Sequence, residues 1–485
     1  MNKEHALKGI RAAKHVLIGT LLVALTGAGG FFLGSLVCSP SWTNAVRLVG
    51  IVGVIAVILV ILIDLLNGLL LWIVLEPYQN FWYLNIKMPK GVPDLSLSRL
   101  AIAFLFLIWV AKMAVGKKKL CPPKGVEIFM LMFCIMAVPS LPASWQGISA
   151  TMQFFFDRLV IPFLVFILAK NLYEDGIALD KLIAALAVID IYLCFMVFYE
   201  HITGQPLFYV IGRQTVYTQH LRKIVSLLGN PAYIATVLAM IFPMTFYKFI
   251  RASLPSSRAF YGILSILAAL GNFFCYNRGG WLALVVAVLI LMFFERRYRQ
   301  ILLPIILMVA VLVLVLWQPI SKSAVVSERL FGETSIRSRM RMLEMGQKMV
   351  RDHLLFGVGF DNFSQYYIKY GGYWSSIAVV PPTPHNTYLL VLTTMGLVSF
   401  IPYVMLFVSM FLEIVSALRR ACKGTIDRAL LLSGWAVIAA YTVSAMFIDI
   451  YISTFTSLVF FCITGMILGY VNHLSSSPEK QRERP

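Results

Sequence analysis

The sequence predicts an all-α polytopic membrane protein with about 12–14 transmembrane helices and one large external loop that contains amphipathic helices. Three observations support this fold class. Hydrophobic residues make up 60% of the 485 residues and charged residues only 13%, with a mean hydropathy of +0.83, which is too apolar for a soluble globular protein. Apolar runs of roughly 17–25 residues recur along the chain, which is the length that a membrane-spanning helix needs. Short basic loops join many of these runs, as in multi-spanning membrane proteins.

Fourteen apolar runs can be recognised in the chain, and they divide it into six predicted units. They cover residues 15–37, 46–64, 65–76, 98–115, 125–138, 152–170, 181–200, 227–249, 259–275, 279–294, 301–317, 387–412, 429–447 and 452–471. The predicted units are N-terminal transmembrane helices (1–200), an external loop with an arginine motif (201–226), central transmembrane helices (227–317), a large external loop (318–386), C-terminal transmembrane helices (387–471) and a cytoplasmic tail (472–485). The first run follows a basic segment but lacks a small-residue cleavage site, so we expect a retained helix.

Residues 46–76 form either one long tilted helix or two short ones, because Asp64 and Asn67-Gly68 interrupt the apolar run. Two helices place the basic segment 117–119 and both termini on the cytoplasmic side, whereas one helix places 117–119 outside, against the positive-inside rule. We therefore prefer two helices and fourteen spans. Twelve spans, with some runs re-entrant, is the alternative.

The large loop contains a segment of helical periodicity. Its predicted apolar face comprises Ile336, Met340, Leu343, Val350 and Leu354, and its polar face Arg337, Arg341, Glu344, Lys348 and Arg351. Such a helix either lies on the bilayer surface or packs on other parts of the protein.

His385 follows three prolines at the start of a predicted span, in Pro381-Pro-Thr-Pro-His-Asn386. A histidine at a water–lipid boundary can exchange protons near neutral pH, and prolines stiffen the backbone that directs it. Asn386 can orient the ring or cap the following helix. The alternative is that His385 only caps the helix or bonds to a carbonyl group.

Arg278 lies between two apolar runs in the tight connection Asn277-Arg-Gly-Gly-Trp281. A charge at this place needs a partner or a wet cavity. Gly279 and Gly280 would allow backbone or a ligand to approach, and the N–H groups that begin a helix favour an anion. The alternative is an arginine that reaches lipid phosphates.

A second basic site precedes the span at 227–249. Arg222 comes before Gly229-Asn230-Pro231, and Arg213 lies further upstream. Two arginines and a histidine on the external side predict recognition of a phosphate-bearing substrate.

Other classes of chemistry and partner lack support. The external loops contain no D-x-D or H-E-x-x-H pattern, the chain has no Walker A sequence, and its seven cysteines form no C-x-x-C pair. We therefore expect no metal, no cofactor and no use of ATP. The net charge of +19 is dispersed between spans, so nucleic-acid binding is not expected either.

Three segments together resemble the O-antigen ligase/polymerase family: Asn277-Arg-Gly-Gly-Trp-Leu-Ala-Leu284, Phe356-Gly-Val-Gly-Phe360, and Pro384-His-Asn-Thr-Tyr-Leu389 followed by Met395-Gly-Leu397. Arg222 with Gly229-Asn-Pro231 looks like the upstream arginine motif of that family. Asn277 stands where many relatives have serine. The resemblance covers about 222–397, and the remaining chain is similar only in hydropathy.

The resemblance implies a GT-C-like glycosyltransferase in the bacterial inner membrane, with its active site facing the periplasm or exterior. The donor would be an undecaprenyl-pyrophosphate-linked glycan, and the acceptor would be lipid A-core for a ligase or a growing polysaccharide for a polymerase. His385 would act as general base, and Arg222 and Arg278 would hold the pyrophosphate. Supporting residues would be Arg213, Asn230, Gly279, Gly280, Gly357, Gly359, Asn386 and Tyr388.

Ligase and polymerase share these motifs, and we prefer ligase because one dominant loop directly precedes the His-Asn pair. A transporter for the same lipid carriers is the alternative from another class. It would place ionisable residues near the midplane, where Asp64, Asp157-Arg158 and Asp190 are the candidates. We expect these to be a turn, an interface pair and a helix–helix hydrogen bond, respectively.

Overall fold

A computed structural model describes residues 42–81, 94, 96–116, 120–144, 147–207, 224, 226–315, 318, 333–372, 382–420 and 427–476. These residues form helices and connecting turns and contain no β-strand. Within them, seven helices are long and apolar enough to cross a bilayer: Ile148–Leu172, Gly176–Thr203, Pro231–Arg251, Pro255–Phe274, Thr387–Arg420, Arg428–Ala445 and Thr454–Leu474. Shorter apolar helices cover Gly50–Ile63, Leu65–Tyr78, Gly125–Ser140 and Arg278–Phe294. The prediction of an all-α polytopic membrane protein is confirmed.

The α-helices in chain order are α1 (Trp42–Ile63), α2 (Leu65–Leu75), α3 (Leu97–Ala114), α4 (Gly125–Ala137), α5 (Ile148–Phe155), α6 (Ile161–Leu172), α7 (Gly176–Thr203), α8 (Pro231–Arg251), α9 (Pro255–Phe274), α10 (Arg278–Phe294), α11 (Arg296–Val315), α12 (Glu333–Asp352), α13 (Phe363–Lys369), α14 (Thr387–Arg420), α15 (Arg428–Ala445) and α16 (Thr454–Ser476). Several begin before the predicted apolar runs, because polar residues at the bilayer boundary continue the helix. The first run, 15–37, lies outside the described residues.

The chain reverses at Asp64, so residues 42–75 form two helices. The Asp64 carboxylate caps α2 by accepting the N–H groups of Leu66 (2.9 Å) and Asn67 (3.3 Å). Gly68 packs directly on Ile61, where a Cβ would lie 2.7 Å from the Ile61 Cα. A continuous helix would separate residues seven positions apart by about two turns. The preferred reading of two helices, with a turn at Asp64, is therefore confirmed.

The centre of the bundle is formed by α8 and α16, in which most residues are buried. Glycines allow α16 to approach α6 closely: a Cβ on Gly465 would lie 2.6 Å from the Phe166 carbonyl oxygen. Phe163 and Phe461 meet edge to face across the same contact, 5.1 Å between centroids.

Asp157, Arg158 and Asp190 have partners other than those that the sequence predicted. Asp157 and Arg158 do not pair with each other: Asp157 pairs with Arg99 at 2.6 Å, and Arg158 pairs with Asp361 at 3.5 Å. The predicted helix–helix hydrogen bond of Asp190 is replaced by one within its own helix, from Cys194 Sγ at 3.3 Å. The reason is helical geometry, since a residue one turn later lies on the same face.

The amphipathic helix α12 exists, but its buried face is not the predicted one. Met345 and Met349 are buried, whereas Met340, Leu343 and Leu354 are exposed. Gly346 decides this orientation because it lets α12 approach Leu389, whose Cδ2 would lie 2.8 Å from a Cβ at that position. The sequence left open whether this helix lies on the bilayer surface or packs on other parts of the protein. The buried face of α12 packs on protein.

Helix α14 is broken at Gly396, whereas the sequence predicted one continuous span. Gly396 has φ +76° and ψ 176°, outside the helical region. The loop segment 354–359 bonds to this break: the N–H groups of Val358 and Gly359 donate to Thr393 and Thr394, and the N–H of Leu397 donates to Leu354 (2.8–3.0 Å).

Gly357, with φ +70°, is a second glycine that this contact requires. A Cβ on Gly357 would lie 2.5 Å from the Thr394 carbonyl carbon, and one on Gly396 would lie 2.1 Å from the Leu355 carbonyl oxygen. Gly357, Gly359 and Gly396 therefore fasten the external loop to the first half of α14. The groups that the break leaves unpaired are satisfied by the loop.

Candidate active site

His385 lies in a turn whose backbone is held by Asp449. The N–H groups of His385 and Asn386 donate to the two oxygens of the Asp449 carboxylate at 3.2 and 3.0 Å. The His385 side chain is 42% exposed, whereas that of Asp449 is 2% exposed, and the imidazole Nδ1 lies 3.8 Å from Oδ2. His385 has φ +49°, an uncommon conformation for a residue other than glycine. One buried carboxylate thus holds the backbone of the turn and lies beside the ring.

Asp449 is held in turn by the start of α14. Thr387 donates to the Ile448 carbonyl oxygen at 2.7 Å and accepts the N–H of Ile450 at 2.8 Å. Burial raises the pKa of Asp449 above the ordinary carboxyl value, while the neighbouring imidazole and the donated N–H groups oppose this shift. A carboxylate buried here is stabilised only because these donors surround it.

Two further predicted residues support the same turn. Asn386 accepts the N–H of Leu389 at 3.0 Å and so caps α14. The Tyr388 hydroxyl donates to the Thr442 carbonyl oxygen in α15 at 3.0 Å. Both residues fix the start of α14 relative to the connection that carries Asp449.

Arg278 begins α10 beside the same connection. The Asn277 side chain caps α10 by accepting the N–H of Gly280 at 2.7 Å. A Cβ on Gly279 would lie 2.6 Å from the Phe447 Cβ, and one on Gly280 would lie 2.4 Å from the Ala235 Cβ. The two glycines therefore leave room for neighbouring side chains of the protein. The contact of Gly279 with Phe447 places Arg278 beside the connection 446–453, which contains Asp449.

Arg339 on α12 is affected by the charges of Arg278 and Asp449. Burial lowers the pKa of Arg339, the charge of Arg278 lowers it further, and Asp449 acts in the opposite direction. The charges of Arg278 in α10 and of Asp449 in the 446–453 connection therefore both act on Arg339 in α12. Because like charges repel, an anion between the two arginines would be stabilised.

The upstream arginine motif is described only in part. Arg213 and Arg222 lie outside the described residues. Asn230 caps α8 by accepting the N–H of Ala232 at 2.9 Å, and Pro231 occupies the first helical position. The Tyr233 hydroxyl in the first turn of α8 donates to the Asp449 carbonyl oxygen at 3.4 Å. The beginning of α8 therefore reaches the His385 turn.

Sequence reasoning missed Asp449 and Arg339. Asp449 was recognisable as the one acidic residue between 428 and 476, placed between two spans on the predicted external side. Arg339 carried a weaker signal: it lies three and seven positions before Met342 and Gly346, which share the inward face of α12. Arg339 was missed because the wrong residues were predicted for the buried face of α12.

Among the described residues, no group of three or more histidine, cysteine, aspartate or glutamate side chains could hold a metal ion. Within the described part of the chain, Arg278 and Arg339 are the cations that we assign to the candidate site.

Residues 263–404 match a family model described as O-antigen ligase. This match confirms the predicted resemblance to the O-antigen ligase/polymerase family and supports an O-antigen ligase-like function in general. A search of curated proteins found no match to the chain. The matched segment contains Arg278, Arg339 and His385, whereas Arg222 and Asp449 lie beyond its ends.

Proposed function

We propose that this chain is a glycosyltransferase that moves a glycan from undecaprenyl pyrophosphate to an acceptor hydroxyl at the external face of the bacterial inner membrane. The single observation that carries this proposal is the placement of His385 and Arg339 as neighbours of Asp449, with Arg278 beginning α10 beside the same connection. An exposed imidazole that shares the neighbourhood of one buried carboxylate with two arginines is suited to proton transfer next to a phosphate group.

In this mechanism His385 is the general base. The acceptor oxygen attacks the anomeric carbon of the donor while the imidazole takes the hydroxyl proton, and the bond from that carbon to the pyrophosphate oxygen breaks. The electron pair leaves with the pyrophosphate. Nδ1 is the ring nitrogen beside Asp449, which makes Nε2 the atom for the acceptor proton. Asp449 orients the ring and stabilises the imidazolium that forms.

Arg278 and Arg339 stabilise the negative charge that develops on the leaving pyrophosphate, and Arg222 remains our third candidate for this task. Guanidinium groups bind phosphate oxygens in pairs of hydrogen bonds. A pyrophosphate is already a good leaving group, so two or three arginines can supply the cations that a metal would otherwise provide.

The acceptor distinguishes ligase from polymerase, and we favour a ligase that uses lipid A-core. The test incubates the purified protein with undecaprenyl-pyrophosphate oligosaccharide, with and without lipid A-core. A product that requires lipid A-core supports a ligase, whereas a ladder formed without it identifies a polymerase. No transfer to either acceptor would contradict the proposed reaction.

Activity should persist in the presence of EDTA, since the arginines neutralise the charge on the pyrophosphate that a divalent ion would otherwise neutralise. The measurement is product formation before and after chelation, with a metal-dependent glycosyltransferase as the control. Loss of transfer in EDTA, restored by a divalent cation, would contradict the metal-independent mechanism.

Replacing Arg339 or Arg278 with alanine should lower kcat/KM for the donor by about 10- to 100-fold, the scale of a lost charge-assisted hydrogen bond. Arg278→Lys should restore activity only in part, because lysine lacks the planar pair of donors. Arg341→Ala is the matched control, since Arg341 is an exposed arginine two residues further along α12. Equal effects of Arg339→Ala and Arg341→Ala would contradict a specific role for Arg339.

A further inference from the structure

A second polar site lies at the other end of α14 from His385. A cavity of about 320 Å³ lies between the start of α4, the end of α14 and the end of α16. Lys124, Glu413 and Arg420 line it together with the hydroxyl groups of Ser409 and Ser416. The basic loops of the predicted topology place this end at the cytoplasmic boundary of the bilayer.

The Glu413 carboxylate is the unusual group in this cavity. Its side chain is 15% exposed, and within the described part of the chain neither oxygen accepts a hydrogen bond. Lys124 Nζ forms a long ion pair with Glu413 at 3.7 Å, which leaves the hydrogen-bonding positions of the carboxylate open. The nearby ammonium group of Lys170 is paired with Glu127. A carboxylate so enclosed favours a ligand that brings a charged N–H donor.

The surroundings of the cavity indicate that this ligand is a lipid. Leu412, next to Glu413, is 55% exposed, and Ile128, one turn into α4 from the cavity, is 51% exposed. Both helices therefore present apolar side chains to the bilayer directly beside the charged groups. An acyl chain could lie along this surface while its headgroup occupies the cavity.

We propose that this cavity binds the headgroup of a phospholipid that carries a primary amine, such as phosphatidylethanolamine. Its phosphate would lie between Lys124 and Arg420, and its ammonium group would donate hydrogen bonds to Glu413. An anionic headgroup such as phosphatidylglycerol fits less well because it brings the phosphate without an ammonium group that could pair with Glu413. A quaternary choline headgroup has the same charges but no N–H donor.

The test is native mass spectrometry of the purified, delipidated full chain titrated with phosphatidylethanolamine, phosphatidylcholine or phosphatidylglycerol of identical acyl chains. We expect the first ethanolamine lipid to bind at about tenfold lower concentration than the choline lipid, the scale of one charge-assisted hydrogen bond. Equal binding of these two lipids, or tighter binding of phosphatidylglycerol, would overturn the proposal.

Glu413→Gln assigns the preference to this cavity, because it keeps the shape of the side chain and removes its charge. The ratio between ethanolamine and choline lipid should fall to about twofold or less. Glu344→Gln, at an exposed position on α12, is the control and should leave the ratio unchanged. A preference that persists in Glu413→Gln would contradict the site. This readout does not depend on glycan transfer, so it stands or falls separately from the proposed function.

Discussion

Replacing His385 with alanine is expected to lower the rate of glycan transfer by about 10²- to 10⁴-fold, the usual contribution of a general base. The protein should still fold and insert, because the bonds that hold this turn come from the backbone N–H groups of His385 and Asn386. The measurement is initial rate at saturating donor and acceptor, with membrane insertion checked for each variant.

A second variant separates loss of the base from strain in the turn. His385 has φ +49°, a conformation that asparagine tolerates better than alanine. His385→Asn should therefore keep the turn and lose activity to a similar degree. His353→Ala is the matched control, since His353 also lies in the external loop and contacts the Tyr366 ring. Undiminished product from both His385 variants would remove the proposed base.

Replacing Asp449 with asparagine should lower kcat by about 10²-fold, because a small displacement of a catalytic group has an effect of that size. The amide can accept one of the two N–H groups that the carboxylate accepts, but it cannot stabilise an imidazolium. KM for the donor should change little, since Arg278 and Arg339 remain. Asp352→Asn, at an exposed position at the end of α12, is the control.

The pH profile gives a readout that a merely structural role would not change. Burial raises the pKa of Asp449, so the carboxylate gains its proton at a higher pH than an exposed aspartate does. Transfer by the natural protein should therefore fall on the acid side as this charge is lost. Asp449→Asn should lack the part that comes from the carboxyl group. An unaltered acid limb in this variant would contradict the proposed coupling.

Much of the architecture could be predicted because it depends on local patterns. Apolar runs of bilayer length predicted the helices, and Asp64 with Asn67-Gly68 predicted the reversal between α1 and α2. The boundary positions of His385 and Arg278 were recognisable for the same reason, since charge beside an apolar run is a local signal. Their roles, and that of Arg222, remain predictions.

The phase of α12 and the break in α14 were decided by tertiary contacts. Met340 and Leu343 are as apolar as the buried methionines, but the close contact of Gly346 with Leu389 turns them outward. Gly396 lies in an apolar run that could continue as a helix. The break is stable there because the Gly357–Gly359 segment, far away in the chain, supplies hydrogen bonds to the interrupted backbone.

The sequence by itself determined the class of protein, the approximate helices, the reversal at Asp64 and the polar residues available at the external boundary. Only the tertiary structure decided that the Asp449 carboxylate holds the backbone of the His385 turn and that the charge of Arg278 acts on Arg339. His385 and Asp449 are 64 positions apart, so no helical or turn periodicity links them. Their pairing follows from the packing of α14 against the end of α15, where a buried carboxylate must find donors and the N–H groups of the His385 turn are within reach.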